Sequence, residues 1–101
     1  MAKSNNKKQI AANELQQTHP MAARKTLFVL ENKEGEIVSL DPVSFAIRTK
    51  GDGKIILPLN LPENFSKAGL KIRFSAMAKE TDPSELWAAQ PVLLTKAEKI
   101  S

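Results

Sequence analysis

The chain contains no cysteine and no tyrosine, and a single histidine, His19. These absences remove much of the usual chemistry. Without cysteine there are no disulfides, no thiolate metal ligands and no cysteine nucleophile. With one histidine, a zinc site would draw nearly all its ligands from carboxylates, so neither a structural metal nor a cofactor is expected. The common nucleophile–base pairs lack their base, and the chain reads as non-enzymatic. No stretch is long and apolar enough to span a membrane. The opening MAKSNNKKQIAANELQQTHP is basic but lacks the apolar run of a signal peptide. As written the protein reads as cytoplasmic, or as an exported or envelope protein if a leader has been removed.

At 101 residues there is room for one domain, large enough to bury a core without covalent staples. The formal charge of +4 suggests a polyanion partner until it is divided along the chain. Residues 1–25 carry five basic side chains against one acidic, whereas residues 26–101 carry ten of each. The excess therefore lies in the first segment, and the body has no net attraction for nucleic acid. Residues 1–25, rich in Asn, Gln, Lys and Ala, read as a flexible basic tail. Ile10, Ala11, Glu14 and Leu15 give a weak helical pattern that Thr18-His19-Pro20 would end. His19 reads as a solvated loop residue.

From Thr26 the texture becomes that of strands. TLFVLE (26–31) and GEIVSL (35–40) are separated by Asn32-Lys33-Glu34-Gly35, either a hairpin turn or a bulge in one long bent strand. After the Asp41-Pro42 turn, VSFAIRTK (43–50) alternates, with Val43, Phe45, Ile47 and Thr49 on the core face. Gly51-Asp52-Gly53 reads as a hairpin turn into KIILPLN (54–60), where Pro58 belongs at an edge or strand end. Residues 60–69 read as a helix of one or two turns. Pro62 suits its first position, Glu63 the positive end of its dipole and Gly69 a left-handed cap. LKIRFSAMAK (70–79) alternates again, with Lys71, Arg73, Ser75, Met77 and Lys79 outward. A polar loop at 80–85 leads to a last strand around Pro91-Val92-Leu93-Leu94.

The expected fold is all-β: a small five-stranded OB-like barrel over residues 26–101, with one short helix between the third and fourth strands. A five-stranded roll or sandwich gives a similar string.

The candidate chemistry is sparse. Glu31, Glu34, Glu36 and Asp41 bunch around the first strand, but carboxylates at turns are mostly solvated and no pocket is indicated to shift them. Gly51-Asp52-Gly53-Lys54 lacks the helix and the Ser or Thr that a phosphate loop needs. Arg48, Lys50 and Arg73, with Lys71 and Lys79, form a basic strip if the second and fourth strands lie close. Stacking of single-stranded bases would also need exposed aromatics. Phe45 and Phe74 fall on the core face, Phe28 is expected there too, and Phe65 plugs the short helix. Trp87 is left as either a barrel cap, its indole nitrogen bonded to a backbone carbonyl, or a ligand-stacking residue. The weak candidates for ligand binding are thus Arg48, Lys50, Arg73 and Trp87.

One further pattern is informative. Gly53-Lys54, Pro58, Asn60-Leu61-Pro62, Phe65, Gly69-Leu70, Ile72, Phe74 and Pro91-Val92 together resemble the core of a group of small bacterial OB-like domains of unassigned function, often found in envelope lipoproteins. The likeness runs from about Gly35 to Ile100. It implies the same barrel and carries over no catalytic residue. Members often have cysteines in the second and last strands and a lipid-anchored export signal, and this chain shows neither. Asn60 in that core is expected to bond back to its own turn. The function expected is a non-enzymatic OB-like binding module of unknown ligand, with a protein, a peptide strand added at an edge or a small molecule at the barrel mouth all open; the alternative is a single-stranded nucleic-acid binder. An open strand edge offers pairing with a second copy, unless Pro58 and Pro91 block it.

Overall fold

The computed structural model describes residues 20–100 and, as backbone alone, Gln9–Ile10. His19 and most of the weak helical pattern before it lie outside the described residues. Ile10, part of that pattern, sits in strand β1 (Gln9–Ile10), which pairs antiparallel with Glu98 and Ala97. The remaining strands are β2 (Thr26–Asp41), β3 (Ser44–Thr49), β4 (Ile55–Pro58), β5 (Lys71–Lys79) and β6 (Gln90–Lys99). Single 3-10 turns occupy Pro20–Ala23 and Glu63–Phe65.

The protein is all-β. The hydrogen-bonded order is β1-β6-β4-β3-β2-β5, and β5 also pairs with β6. Five strands, β2 to β6, therefore close into a ring. All contacts around it are antiparallel except β4 with β6, which is parallel in the register Ile56↔Gln90 to Pro58↔Val92.

The ring closes because β2 serves two neighbours. Its first half pairs with β5 and its second half with β3, and the two ladders overlap at Gly35 and Glu36. Asn32-Lys33-Glu34-Gly35 is a bulged bend within this one strand. Asn32 adopts φ 51°, and its N–H donates to the Ser75 hydroxyl at 3.0 Å, so Ser75 is buried despite its outward parity. At Gly35 the strand is crowded from both sides, and any Cβ would lie 2.6 Å from Ile47 Cγ2. Only glycine fits there.

Of the residues expected inside, Ile47, Ile72, Phe74, Ala76 and Ala78 are buried, and the core they form is completed by Ile37, Ile56, Val92 and Leu94. Phe65 plugs one end, with the Lys99 ammonium 5.6 Å from its ring centroid. No longer helix forms around it. Phe65 N–H bonds to the Pro62 carbonyl and Ser66 N–H to the Glu63 carbonyl, and the chain then leaves through Gly69 at φ 92°. Pro62 caps this turn in extended conformation rather than opening a helix. The Gly69 N–H donates to the Ile37 carbonyl, drawing the segment onto β2 before an α-helix can develop.

Asn60 does something other than cap its own turn. Its amide donates to the Leu94 carbonyl at 3.0 Å and accepts the Leu94 N–H at 2.8 Å. A side-chain amide thus continues the parallel β4–β6 ladder past the point where Pro58 ends the strand.

Lys79 and Phe28 also depart from simple alternation. Lys79, expected outward on a solvated face, is 3% exposed. Its ammonium donates to the carbonyls of Ala22 and Arg24 and to the Thr26 hydroxyl, at 3.4, 3.0 and 2.8 Å. The chain before β2 thus passes over the outer side of β5, and Met21 is buried with it. Phe28, expected in the core, is 49% exposed, because β2 slips register between Thr26 and Phe28 and turns the ring out of the interior.

Candidate functional site

The second and fourth strands of the ring, β3 and β5, flank β2 on opposite sides, so their outward cations converge over it. Arg48 projects from β3 and Arg73 from β5, while Lys50 lies just past β3. Between them stand carboxylates of β2. Glu34 bridges Lys50 at 3.4 Å and Arg73 at 3.1 Å, and Glu36 meets Arg48 at 3.3 Å. Arg73 also reaches Glu98 of β6 at 2.9 Å. Arg73 and Lys50 hold the Glu34 carboxyl below its usual range, chiefly through hydrogen bonds. The structure brings Arg48, Lys50 and Arg73 together, but as members of an ion-pair network. Each cation already has an anionic partner, which removes most of the field a phosphate backbone would feel. Lys71 borders the same face and makes no ion pair among the described residues. Glu34, Glu36, Arg48, Lys50 and Lys71, together with Gly51, Gly53 and Ile100, line a shallow cavity of about 400 Å³. Arg73 and Glu98 instead line a separate, smaller cavity beside Asn32 and Lys96. Lys79, buried under residues 22–26, is part of neither.

Trp87 belongs to a different cluster. Its indole N–H donates to Glu85 Oε1 at 2.9 Å, a carboxylate and not a backbone carbonyl, and the residue is half-buried. Glu85 is gripped by Arg24 in a bidentate pair of 2.8 and 2.6 Å and accepts the Asp82 N–H as well. These bonds, the one to Arg24 foremost, drive the Glu85 carboxyl far below the ordinary carboxylate range. The indole nitrogen is used in holding the 80–85 loop, and Trp87 shares no hydrogen bond with Arg48, Lys50 or Arg73. Of the two remaining acidic candidates, Glu31 is exposed, and Asp41 accepts the N–H groups of Val43 and Ser44 and is likewise shifted down. Gly51-Asp52-Gly53-Lys54 is a hairpin turn in which Asp52 accepts the Lys54 N–H and the Thr49 hydroxyl. Among the described residues no group of three or more His, Asp or Glu side chains converges on a metal-sized space.

A feature that strand reading passed over lies between β3 and β4. These strands share only two residue pairs, Ile47↔Ile56 and Arg48↔Ile55. Continuing that register would set Phe45 opposite Pro58, which has no N–H to give. The strands part there, leaving Ser44–Ala46 without a partner on the β4 side. The opening is a groove of about 290 Å³ lined by Val43, Phe45, Leu57, Leu59, Leu61 and Ser66, among others. Val43 at its rim is 85% exposed. Alternation placed Val43 and Phe45 on the core face; Phe45 does pack, half-buried, against the core, whereas Val43 does not, and the signal that could have found the groove was Pro58 facing Phe45 across a short hairpin.

No family model matches the chain, and no curated protein matches it either.

Proposed function

We propose that the chain is an OB-like barrel acting as a non-enzymatic binding module, and that its ligand is an extended apolar segment of another protein. The barrel reading is supported by the ring order. Counted from β2, the strands run first, second, third, fifth, fourth and back to the first, with the third and fifth parallel. The resemblance of the Asn60-to-Phe74 core to envelope-associated OB-like domains agrees with it. The observation that carries the binding reading is the groove between β3 and β4. An unpaired stretch of strand backbone beside apolar side chains is the arrangement by which a sheet accepts an added strand, backbone bonds giving affinity and the lining giving preference.

Single-stranded nucleic acid is the competing ligand, since Arg48, Lys50 and Arg73 do share one face. Their compensation by Glu34, Glu36 and Glu98 weighs against it.

A ¹H–¹⁵N correlation titration decides between them. The probes are a panel of alternating Val-Thr and Leu-Thr hexapeptides and a mixed-sequence single-stranded oligonucleotide at physiological salt. The expected result is saturable shifts at Ser44–Ala46 and Leu57–Leu61 with peptide, lost in F45D. Shifts confined to the Arg48, Lys50 and Arg73 amides with the oligonucleotide would replace the peptide reading by the nucleic-acid one. No shift with any peptide would sink it.

A further inference from the structure

The start of β2 is unlike the rest of the ring. Thr26 to Leu30 pair with β5 on one side, and β3 joins β2 only from Gly35 onward. Among the described residues, no strand runs along the other edge of Thr26–Glu31. That edge is apolar: Leu27, Phe28 and Val29 are 50%, 49% and 54% exposed in succession. Open edges are ordinarily guarded by a proline, a lysine or an inward charge. Here residues 26–30 carry none of these. The nearest charges are Lys25 and Glu31, both exposed and in no ion pair among the described residues.

Lys25 and Glu31 each stand three residues from Phe28. If this edge pairs antiparallel with itself about a two-fold axis through Phe28, position 25 falls opposite 31 and position 27 opposite 29. Leu27 then meets Val29, Phe28 meets its own copy, and Lys25 meets Glu31 twice, once on each side of the axis. Parallel in-register pairing would instead set Lys25 against Lys25 and Glu31 against Glu31. Cross-strand apolar and opposite-charge pairs are favourable and like charges directly opposite are not, so the charge order favours the antiparallel orientation and, across the irregularities of β2 between Thr26 and Phe28 and beyond Leu30, the register that brings Lys25 near Glu31. We infer that Lys25–Glu31 is a self-complementary edge whose partner is a second copy of this chain, joined as an isologous dimer with a sheet continuous across the axis. The surface is separate from the β3–β4 groove, so the dimer stands or falls independently of the peptide reading.

The test uses the full chain in sedimentation equilibrium across micromolar to millimolar concentrations. The expected result is a reversible equilibrium between 11.1 kDa and twice that mass. F28E should abolish it. K25E and E31K should each raise the dimer dissociation constant by about tenfold or more, since each turns two attractions into two repulsions. Mixing K25E with E31K should restore a heterodimer, because every cross-pair is again opposite in sign, and the double variant should dimerise like the wild type. Circular dichroism melts check that each variant is folded. A monomer mass throughout the series would overturn the inference. So would a dimer indifferent to both charge reversals and to their mixing, which would place the interface elsewhere. The peptide titration at Ser44–Ala46 is read separately, so failure of one does not imitate failure of the other.

Discussion

Replacing Gly35 by alanine adds one methyl group at the most constrained point of the ring. An ideal Cβ there lies 2.6 Å from Ile47 Cγ2, 2.9 Å from the Arg48 carbonyl oxygen and 3.4 Å from Phe74 Cε1. Carbon pairs are most favourable at about 3.5–4.0 Å, so the first contact is nearly an ångström too short. Ile47 is completely buried and the Arg48 carbonyl is backbone, so neither yields without moving β3. Overpacking of this kind costs about 1–3 kcal/mol, and the unfolded-state entropy that alanine removes returns about 0.4–1 kcal/mol. A net loss of about 1.3 kcal/mol, the difference of the two midpoints, corresponds to a melting-temperature drop of about 5–10 °C in a domain this small. Urea and thermal unfolding, followed by far-ultraviolet circular dichroism and Trp87 fluorescence, measure it. A double-mutant cycle sharpens the test. In an I47A background the nearest obstacle is gone, and the Gly35→Ala penalty should shrink by about 1 kcal/mol through coupling of touching residues. A Gly35→Ala protein melting within about 2 °C of the wild type, or a penalty unchanged by I47A, would refute the crowding argument.

Two further outcomes are expected. Asn60→Ala removes both bonds to Leu94 and leaves its backbone N–H and carbonyl unpaired within the sheet, a loss of about 1–3 kcal/mol seen as a lower urea midpoint; Asn60→Leu, of similar size, should not rescue it. The Glu85 carboxyl is lowered in the folded protein by Arg24, so its stabilising contribution is complete above the unfolded value of about 4.3 and fades as pH falls below it. Stability should therefore decline on acidification below that point, and Glu85→Gln should flatten the decline. Because Glu34, Asp41, Asp52 and Asp82 are lowered as well, the flattening is partial, and an unchanged acid limb in Glu85→Gln would contradict the assignment.

Much of the frame was legible from local pattern. The alternation in 70–79 placed Ile72, Phe74, Ala76 and Ala78 inside, where they are. The Gly51-Asp52-Gly53 hairpin and the plugging role of Phe65 were also readable, since turn chemistry and period-two burial act over a few residues. The expected helix around Phe65 failed because its length depended on what happened beyond it. Gly69 is bonded to Ile37, a residue more than thirty positions away, and that contact leaves space for one 3-10 turn. Lys79 was misread for a similar reason. Outward parity implies solvent only if nothing crosses the outer face, and residues 22–26 cross it. Arg48, Lys50 and Arg73 do lie on one face, but the carboxylates between them come from β2, whose position between β3 and β5 no local pattern states.

The sequence by itself determined where the five strands of the ring lie, much of their apolar faces and where the chain turns between them, because these depend on neighbours one to four residues apart. It also determined that the chemistry of cysteine and tyrosine is absent. Only the tertiary structure decided that the cations are compensated, that Asn60 stitches β4 to β6, and that β3 and β4 part to open a groove. It alone left the Lys25–Glu31 edge without a described neighbour. Each of these is a property of register between distant strands, fixed when β2 bends at Gly35 and the ring closes.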